Sequence, residues 1–181
     1  AERLHHTLKN YFRILEVLDE GDETEREEGT VLVQESATIL SETARRVAQK
    51  FGRLQDLQVF SANVALPLSR TNFTSIIGEL VDNAFKYSHP GTRVDVELRR
   101  HDDFLHLRVS DHGRGMTPEQ IGHIGAFRQF DRTKYEQQGL GLGLTLTQHV
   151  IERTGGAFTL ESALGSGTLV RVSWPLLATT P

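Results

Sequence analysis

Two pairs of short segments with alternating side chains constrain the fold of this 181-residue chain more than any other feature. The first pair lies on both sides of the turn sequence RHDD: Val94, Val96 and Leu98, then Leu105, Leu107 and Val109. The second pair lies on both sides of ALGSG: Phe158 and Leu160, then Thr168, Val170, Val172 and Trp174. A period of two indicates half-buried strands, and strands joined by a short turn are antiparallel neighbours. The chain is therefore predicted to form two β-hairpins.

Three amphipathic helices are predicted around the hairpins, because apolar residues recur three and four positions apart. The first covers residues 31–51. The second begins near Thr71, a residue type that caps helices, and ends near the sequence SHPG. The third covers about residues 141–153 and stops at Gly155 and Gly156.

The order of these elements predicts an α+β fold. The segments LQVF and VALPL have strand character, and residues 111–138 are predicted to be a loop with at most short helices. Helices and strands do not alternate as they do in a doubly wound parallel sheet. We therefore expect a two-layer α/β sandwich, with helices on one face of a mixed, largely antiparallel sheet.

The first 28 residues are predicted to be separate from the domain that covers 29–181. Apolar residues at helix spacing predict an amphipathic helix: Leu4, Leu8, Phe12, Leu15 and Leu18. An acidic run from Glu16 to Glu28 follows and is typical of a solvated linker. Because the chain begins within helical sequence and without a methionine, we expect a fragment of a longer protein.

Composition excludes several classes of protein. A net charge of -4 gives no reason to expect nucleic acid or an anionic membrane as a partner. The absence of cysteine excludes disulfides and thiol chemistry and is compatible with a cytoplasmic setting. The sequence contains no apolar run long enough to span a bilayer.

The segment GELVDNAFKYS carries a polar stripe on a helix that must also pack. Glu79 and Asn83 are one turn apart and Lys86 follows three residues later, so the three share a face. The Asn83 amide oxygen suits a magnesium ion on polyphosphate, and Lys86 suits phosphate oxygens. Glu79 could orient or deprotonate a water or hydroxyl. The alternative is a solvated helix face.

Two glycine-containing segments add candidate ligand contacts. In SDHGRGM, Asp111 ends a strand and could accept a hydrogen bond from an amino group such as that of adenine. In GLGLGL, glycines open a helix whose exposed amides could bind phosphate: Gly139, Gly141 and Gly143. The alternatives are an ordinary turn and close helix packing. Neither segment has the Rossmann or the Walker pattern.

The order of these segments resembles the ATP-binding catalytic domain of bacterial sensor histidine kinases, within the GHKL ATPase superfamily with its Bergerat-type fold. ELVDNAFKYS resembles the N box, DHGRGM and GLGLGL the two glycine boxes, and FRQFDR the phenylalanine box. The resemblance covers roughly residues 31–175. The sequence FDRTKYEQQG is similar to the lid of the cyanobacterial type.

The resemblance implies specific roles. Asn83 would hold magnesium, Glu79 would be the acid–base residue, Lys86 would contact phosphate, and Tyr87 would lie beside the base or ribose. Asp111 would bind the adenine amino group, with Gly113 and Gly115 shaping that wall and Thr168 completing the pocket through water. Residues 116–138 would be the ATP lid, with Phe127 and Phe130 as anchors and Arg128, Arg132 or Lys134 reaching the terminal phosphate. The lid-to-helix segment would surround the phosphates: Gly139, Leu140, Gly141, Leu142 and Gly143.

The phosphate acceptor is expected upstream of this fragment. The family has two dimerisation helices before the catalytic domain, and only one helix precedes residue 31 here. HHTLKN lacks the acid and proline of the family's histidine box, so His6 is not expected to be the acceptor. The resemblance implies a protein-histidine kinase that dimerises through those helices and passes phosphate to a response regulator, without nucleic-acid or direct membrane contact. A hydrolysing GHKL ATPase and a nucleotide-binding regulatory module without transfer stay open as alternatives.

Overall fold

The computed structural model describes residues 35–66, 68–125 and 142–176 and gives an α+β fold. Its helices are α1 Ser36–Lys50, α2 Arg70–Tyr87, α3 Pro118–Gly125 and α4 Leu142–Arg153. Its strands are β1 Leu57–Ser61, β2 Val94–His101, β3 Phe104–Asp111, β4 Ala157–Ala163 and β5 Gly167–Pro175. A short 3-10 turn, Leu54–Asp56, joins α1 to β1. The predicted helix and acidic linker of residues 1–28 lie outside the described residues.

The five strands of the described part form one mixed sheet in the order β1-β2-β3-β5-β4. The β1–β2 pair is parallel, and the three other pairs are antiparallel. Both predicted hairpins are confirmed, as is the mixed, largely antiparallel sheet. In the register of β3 and β5, Asp111 lies opposite Thr168, so two predicted site residues meet at one end of the sheet.

The helices lie on one face of the sheet, as predicted. Val94, Val96 and Leu98 are fully buried on that face, whereas Asp95 and Glu97 alternate with them on the other face and are partly exposed. The apolar side of α2 completes the core with seven buried residues: Phe73, Ile76, Ile77, Leu80, Val81, Ala84 and Phe85. Because this side is buried, the opposite side of α2, which carries Glu79, Asn83 and Lys86, faces away from the core.

Helix α2 begins at Arg70 rather than Thr71, because Ser69 is the capping residue. The Ser69 hydroxyl accepts a hydrogen bond from the Asn72 amide at 3.2 Å. The predicted stop of α4 is confirmed: Gly155 follows the helix with a φ of +76°, a left-handed conformation that favours glycine. None of the described helices is both long and apolar enough to cross a bilayer.

The VALPL segment does not form the predicted strand and has a single bridge residue, Leu66. Its backbone is held by α1 instead: the Val64 amide donates to the Ser36 hydroxyl at 2.9 Å. In return, the Ala37 amide donates to the Asn63 side chain at 3.2 Å. These reciprocal bonds satisfy the start of α1 and hold the segment away from the sheet.

The predicted loop after β3 contains the short helix α3. Thr117 and Gln120 cap it reciprocally: the Gln120 amide donates to the Thr117 hydroxyl at 3.2 Å, and the Thr117 amide donates to Gln120 Oε1 at 3.0 Å. This capping box satisfies amides that a helix start leaves unpaired.

Candidate functional site

The polar stripe of α2 faces a cleft, which lies between α2, the start of α4 and the loop after β3. Within the stripe, Glu79 and Asn83 are hydrogen-bonded to each other. Asn83 Nδ2 donates to Glu79 Oε1 at 3.1 Å, and both side chains are partly buried. Burial raises the pKa of the Glu79 carboxyl, and the hydrogen bond from Asn83 opposes that rise. A rise in its pKa makes a carboxylate a stronger proton acceptor.

Gly143 joins the glycine-rich segment to this stripe. It lies in the first turn of α4, and a Cβ added there would overlap Glu79 Oε1. The start of α4 therefore touches the Glu79 carboxyl, and a larger residue at position 143 would require the Glu79 side chain to move. Three further predicted positions, Gly139, Leu140 and Gly141, lie outside the described residues, and Leu142 is the first residue of α4.

Asp111 is buried at the end of β3, where it is 9% exposed. Its Oδ1 accepts a hydrogen bond from the Gly113 amide at 2.8 Å, and a carboxylate has enough lone pairs to accept from further donors as well. Burial raises the pKa of the Asp111 carboxyl, while hydrogen bonds from the Gly113 and Thr168 backbone oppose the rise. The site thus presents a desolvated carboxylate acceptor.

The two glycines after Asp111 allow its loop to pack closely. A Cβ on Gly113 would overlap the Tyr87 carbonyl, and a Cβ on Gly115, whose φ is +65°, would overlap the Ala163 carbonyl. The loop is therefore pressed between the end of α2 and the end of β4. Gly113 brings the Asp111 loop into direct contact with Tyr87, the last residue of α2.

Thr168 completes this wall beside Asp111. Its hydroxyl is 3.0 Å from the Ser162 hydroxyl. Ser162 Oγ also accepts from the Met116 amide at 2.9 Å and donates to the Gly167 carbonyl at 2.8 Å. Ser162 was not singled out from the sequence, yet it ties the β4–β5 hairpin to the start of the loop after β3.

Two positively charged side chains, those of Lys86 and Arg114, lie at the ring of Tyr87. Lys86 Nζ is 4.8 Å and the Arg114 guanidinium 4.5 Å from the ring centroid. The Arg114 amide also donates to the Tyr87 carbonyl at 3.1 Å. Two positive charges on one aromatic ring, beside the Glu79–Asn83 pair, make this part of the cleft favourable for an anion. Arg114 was not identified from the sequence.

The first part of the predicted lid, residues 116–125, is described and contains α3. The lid positions with predicted roles lie outside the described residues: Phe127, Arg128, Phe130, Arg132 and Lys134. Among the residues that the structure does describe, no group of three or more His, Cys, Asp or Glu side chains could hold a metal ion. Asn83 uses its amide nitrogen toward Glu79, which leaves its carbonyl oxygen as a hard donor. This donor fits a magnesium ion that arrives on phosphate oxygens and needs few protein ligands.

A shallow groove of about 450 Å³ lies along the open face of the sheet and reaches the end of β3, where its lining includes Asp111, Ser162 and Thr168 of the candidate site. The rest of its lining includes Arg93, Asp95 and Arg108, which lie on the face that the helices do not cover. Arg93 is paired with Asp95 at 2.9 Å, so its charge is already compensated. We assign the candidate site to the cleft beside α2, where the motif residues meet.

The family comparison covers the part of the chain that builds this cleft. Residues 69–178 match the family described as histidine kinase-, DNA gyrase B-, and HSP90-like ATPase. This range includes every described residue of the candidate site.

Curated relatives are sensor kinases that are much longer than this chain. The chain is 35% identical over 107 residues to the sensor histidine kinase RppB of Synechocystis sp., covering 57% of this chain and 23% of the relative. It is 32% identical over 146 residues to the histidine protein kinase DivJ of Caulobacter vibrioides, covering 74% of this chain and 24% of the relative. The chain therefore spans about a quarter of the length of these two relatives.

Solved structures share the fold. The mycobacterial sensor histidine kinase MprB aligns with a TM-score of 0.62 and 26% identity, covering 76% of this chain and 92% of that one. The Acinetobacter baumannii histidine kinase AdeS aligns with a TM-score of 0.68 over 97% of this chain and 79% of that one. Its identity is 19%, so this second likeness shows the fold alone.

Proposed function

Since the chain belongs to the histidine kinase-, DNA gyrase B-, and HSP90-like ATPase family, we propose that it is the ATP-binding catalytic domain of a two-component sensor histidine kinase. It would transfer the γ-phosphate of ATP to a histidine. One observation carries the proposal: the start of α4 touches Glu79, and the Asp111 loop touches Tyr87, so three distant segments line one cleft.

Each wall of the cleft suits one part of the nucleotide. The Asp111 carboxylate would accept a hydrogen bond from the adenine amino group, and Thr168 would contact the adenine through a water molecule. Tyr87 would lie beside the base or ribose. Lys86 would neutralise phosphate oxygens, and the amides at the start of α4 would add hydrogen bonds to them.

The residues on α2 would serve the transfer itself. Asn83 would hold the magnesium ion that neutralises phosphate charge when it is bound with ATP. Glu79, oriented by its hydrogen bond from Asn83, would accept or return a proton at its carboxylate. Positioning and charge neutralisation supply most of the rate in phosphoryl transfer.

The remaining parts of the kinase reaction are proposals about the longer protein. The acceptor histidine would lie upstream of this fragment on a dimerisation helix, with residues 1–28 as the second helix and linker. A response regulator would then receive the phosphate. Because ATP is the donor, the domain would work in the cytoplasm.

The first experiment measures ATP binding by titration calorimetry with and without magnesium, for the wild type and Asn83→Ala. Asn72→Ala, the same change near the start of the same helix, is the matched control. We expect Asn83→Ala to abolish magnesium-dependent binding while its circular dichroism and the control stay unchanged. Wild-type binding by Asn83→Ala would overturn the assignment.

A second experiment separates transfer from hydrolysis. We expect this chain alone with radiolabelled ATP to take up no acid-labile phosphate, and the full-length kinase to take it up. Acid-labile label at His6 would contradict the upstream acceptor. Steady release of inorganic phosphate by a full-length kinase that gains no label would favour the hydrolysing ATPase instead.

A further inference from the structure

Arg53 is a buried arginine between α1 and the 3-10 turn, far from the motifs in sequence. Its side chain is 5% exposed, and its Nε donates to Asp56 Oδ2 at 2.7 Å. Asp56 is equally buried, and its Oδ2 also accepts from the Gly91 amide at 2.9 Å. The hydrogen bond from Arg53 is the main interaction that lowers the pKa of Asp56, so this carboxyl is ionised at neutral pH.

The rest of the guanidinium binds the end of α2 and the loop after it. Nη1 donates to the carbonyls of Phe85 and Ser88, both at 3.0 Å, and to the Ser88 hydroxyl at 3.1 Å. Nη2 donates to the carbonyls of His89 at 2.6 Å and Thr92 at 3.0 Å. All five guanidinium N–H groups therefore have acceptors.

The Phe85 carbonyl is one of those that a helix end leaves without partners, and the carbonyls of Ser88, His89 and Thr92 belong to the loop after the helix. The guanidinium also lies 4.9 Å from the Phe85 ring centroid, so it is stacked as well as hydrogen-bonded. A positive charge at a helix C-terminus is favourable with the helix dipole. Arg53 thus caps the C-terminus of α2 and holds the backbone of residues 88–92 in place.

The turn that Arg53 closes carries two residues of the proposed nucleotide site. Lys86 and Tyr87 follow Phe85 directly, and the Tyr87 carbonyl accepts the Arg114 amide at 3.1 Å. A shift of this turn would move the Lys86 charge and the Tyr87 ring, and would loosen the Asp111 loop that Gly113 packs against Tyr87.

We propose that Arg53 is a positioning residue, which sets the place of Lys86 and Tyr87 in the cleft by binding the last turn of α2 and the loop after it. This inference rests on the proposed nucleotide site. Lysine cannot replace Arg53, because an ammonium has three donors without the planar fork that reaches Asp56 and both ends of the loop.

The test compares Arg53→Lys with Arg171→Lys, the same change at an exposed arginine that pairs with Glu161 on the open face of the sheet. Calorimetric titration with magnesium ATP is run below the unfolding temperature of each variant. We expect ATP affinity to fall at least tenfold in Arg53→Lys and by less than twofold in Arg171→Lys. Arg53→Lys that is folded and binds ATP within twofold of wild type overturns the proposal.

Amide hydrogen exchange in the nucleotide-free protein distinguishes a local effect of Arg53 on the Tyr87 turn from a general loss of stability. We expect the Arg114 amide to exchange at least tenfold faster in Arg53→Lys than in wild type, with little change at Val172 in the centre of the sheet. Equal acceleration at both amides would overturn the positioning role. Failure of the wild type to bind ATP would instead overturn the proposed function, and the exchange experiment would still test Arg53.

Asp56→Asn is the second variant, for the case that Arg53→Lys does not fold. It keeps the arginine and its bonds to the α2 carbonyls but removes the buried counter-charge. We expect a smaller, two- to fivefold loss of ATP affinity with faster exchange at Gly91 and Arg114. Unchanged affinity and exchange in folded Asp56→Asn would count against the proposal.

Discussion

The side-chain carboxyl of Glu79 lies directly against the backbone of Gly143, in the space where any other residue would place its Cβ. This contact joins the polar stripe of α2 to the first turn of α4. A carboxyl and the backbone of a helix start are therefore held together without a ligand in the cleft. The consequence is that Gly143 cannot be changed without moving one of the two.

Gly143→Ala is expected to reduce ATP affinity by tenfold or more, because the new methyl group must displace Glu79 or the start of α4. Gly78→Ala is the control: it lies on α2, and its Cβ would meet nothing within 4 Å. That control should bind ATP normally and gain up to about 1 kcal/mol of stability from helix propensity. Calorimetric titration and thermal unfolding provide both measurements, and equal binding by the two variants would contradict the tight contact.

Glu79→Gln is expected to stabilise the nucleotide-free protein at neutral pH. Burial raises the pKa of Glu79 above its ordinary value of 4.5, so the ionised form costs folding free energy when the pH exceeds the folded pKa. Each unit of such a shift is worth about 1.4 kcal/mol. At this chain length each kcal/mol raises the melting temperature by about 2–4 °C. Glutamine keeps the acceptor for Asn83 and removes the charge.

The stabilisation by Glu79→Gln should shrink as the pH falls through the raised pKa and vanish below about 4.5, where Glu79 is protonated in both folded and unfolded protein. Thermal unfolding of both proteins between pH 4 and pH 8 measures the difference. A gain in melting temperature that stays constant across that range would show that charge burial is not its cause.

The alternation of the hairpins was enough to predict four of the five described strands and the pairing within each hairpin. It did not predict the pairing of β1 with β2 or of β3 with β5. Val94, Val96 and Leu98 are buried as that pattern requires. The predicted start of α2, Thr71, differs by one residue from the observed start, Arg70. Ser69 and Thr71 are both residue types that cap helices, and only the hydrogen bond from the Asn72 amide to Ser69 distinguishes them. The strand predicted for VALPL does not form because the hydrogen-bond partner of Val64 is Ser36 in α1, 28 residues earlier in the chain.

The motif residues could be placed in one cleft from their order, whereas Arg53 and Arg114 could not be recognised. Apart from Asp56, the partners of Arg53 lie 32 to 39 residues away and are mostly backbone carbonyls, which every residue type carries. No residue pattern marks such an acceptor. Arg114 lies between two glycines, at a position that the glycine pattern leaves unspecified, and its role depends on the ring of Tyr87, 27 residues earlier in the chain.

ATP affinity is expected to fall at acid pH because Asp111 must be ionised to accept the adenine amino group. Burial raises the pKa of Asp111 above its ordinary value of 3.8, so the loss should begin at a higher pH than an exposed aspartate would give. Below the raised pKa the carboxyl is protonated and affinity is lost; above it affinity is constant. Titration calorimetry with ADP, at pH values from below to above the pKa of Asp111, measures the effect.

Asp111→Asn is the control for that pH profile. Its amide oxygen can still accept a hydrogen bond, and it does not titrate, so binding should be weaker at neutral pH but without the acid-dependent loss. Any pH dependence that both proteins share comes from the nucleotide. Identical profiles for wild type and Asp111→Asn would remove Asp111 from the adenine wall.

Arg114→Met is expected to weaken ATP binding by about two- to fivefold, because the guanidinium is stacked on the Tyr87 ring at 4.5 Å and holds it in place. A cation–π contact at an exposed site is worth about 0.5–1 kcal/mol, which corresponds to that change in Kd. Tyr87→Leu should cause a larger loss, and Arg114→Met should add nothing further in that background. Arg108→Met, on the open face of the sheet, should bind ATP as wild type does. Additive losses in the Tyr87→Leu, Arg114→Met double variant would mean that Arg114 acts on the nucleotide without Tyr87.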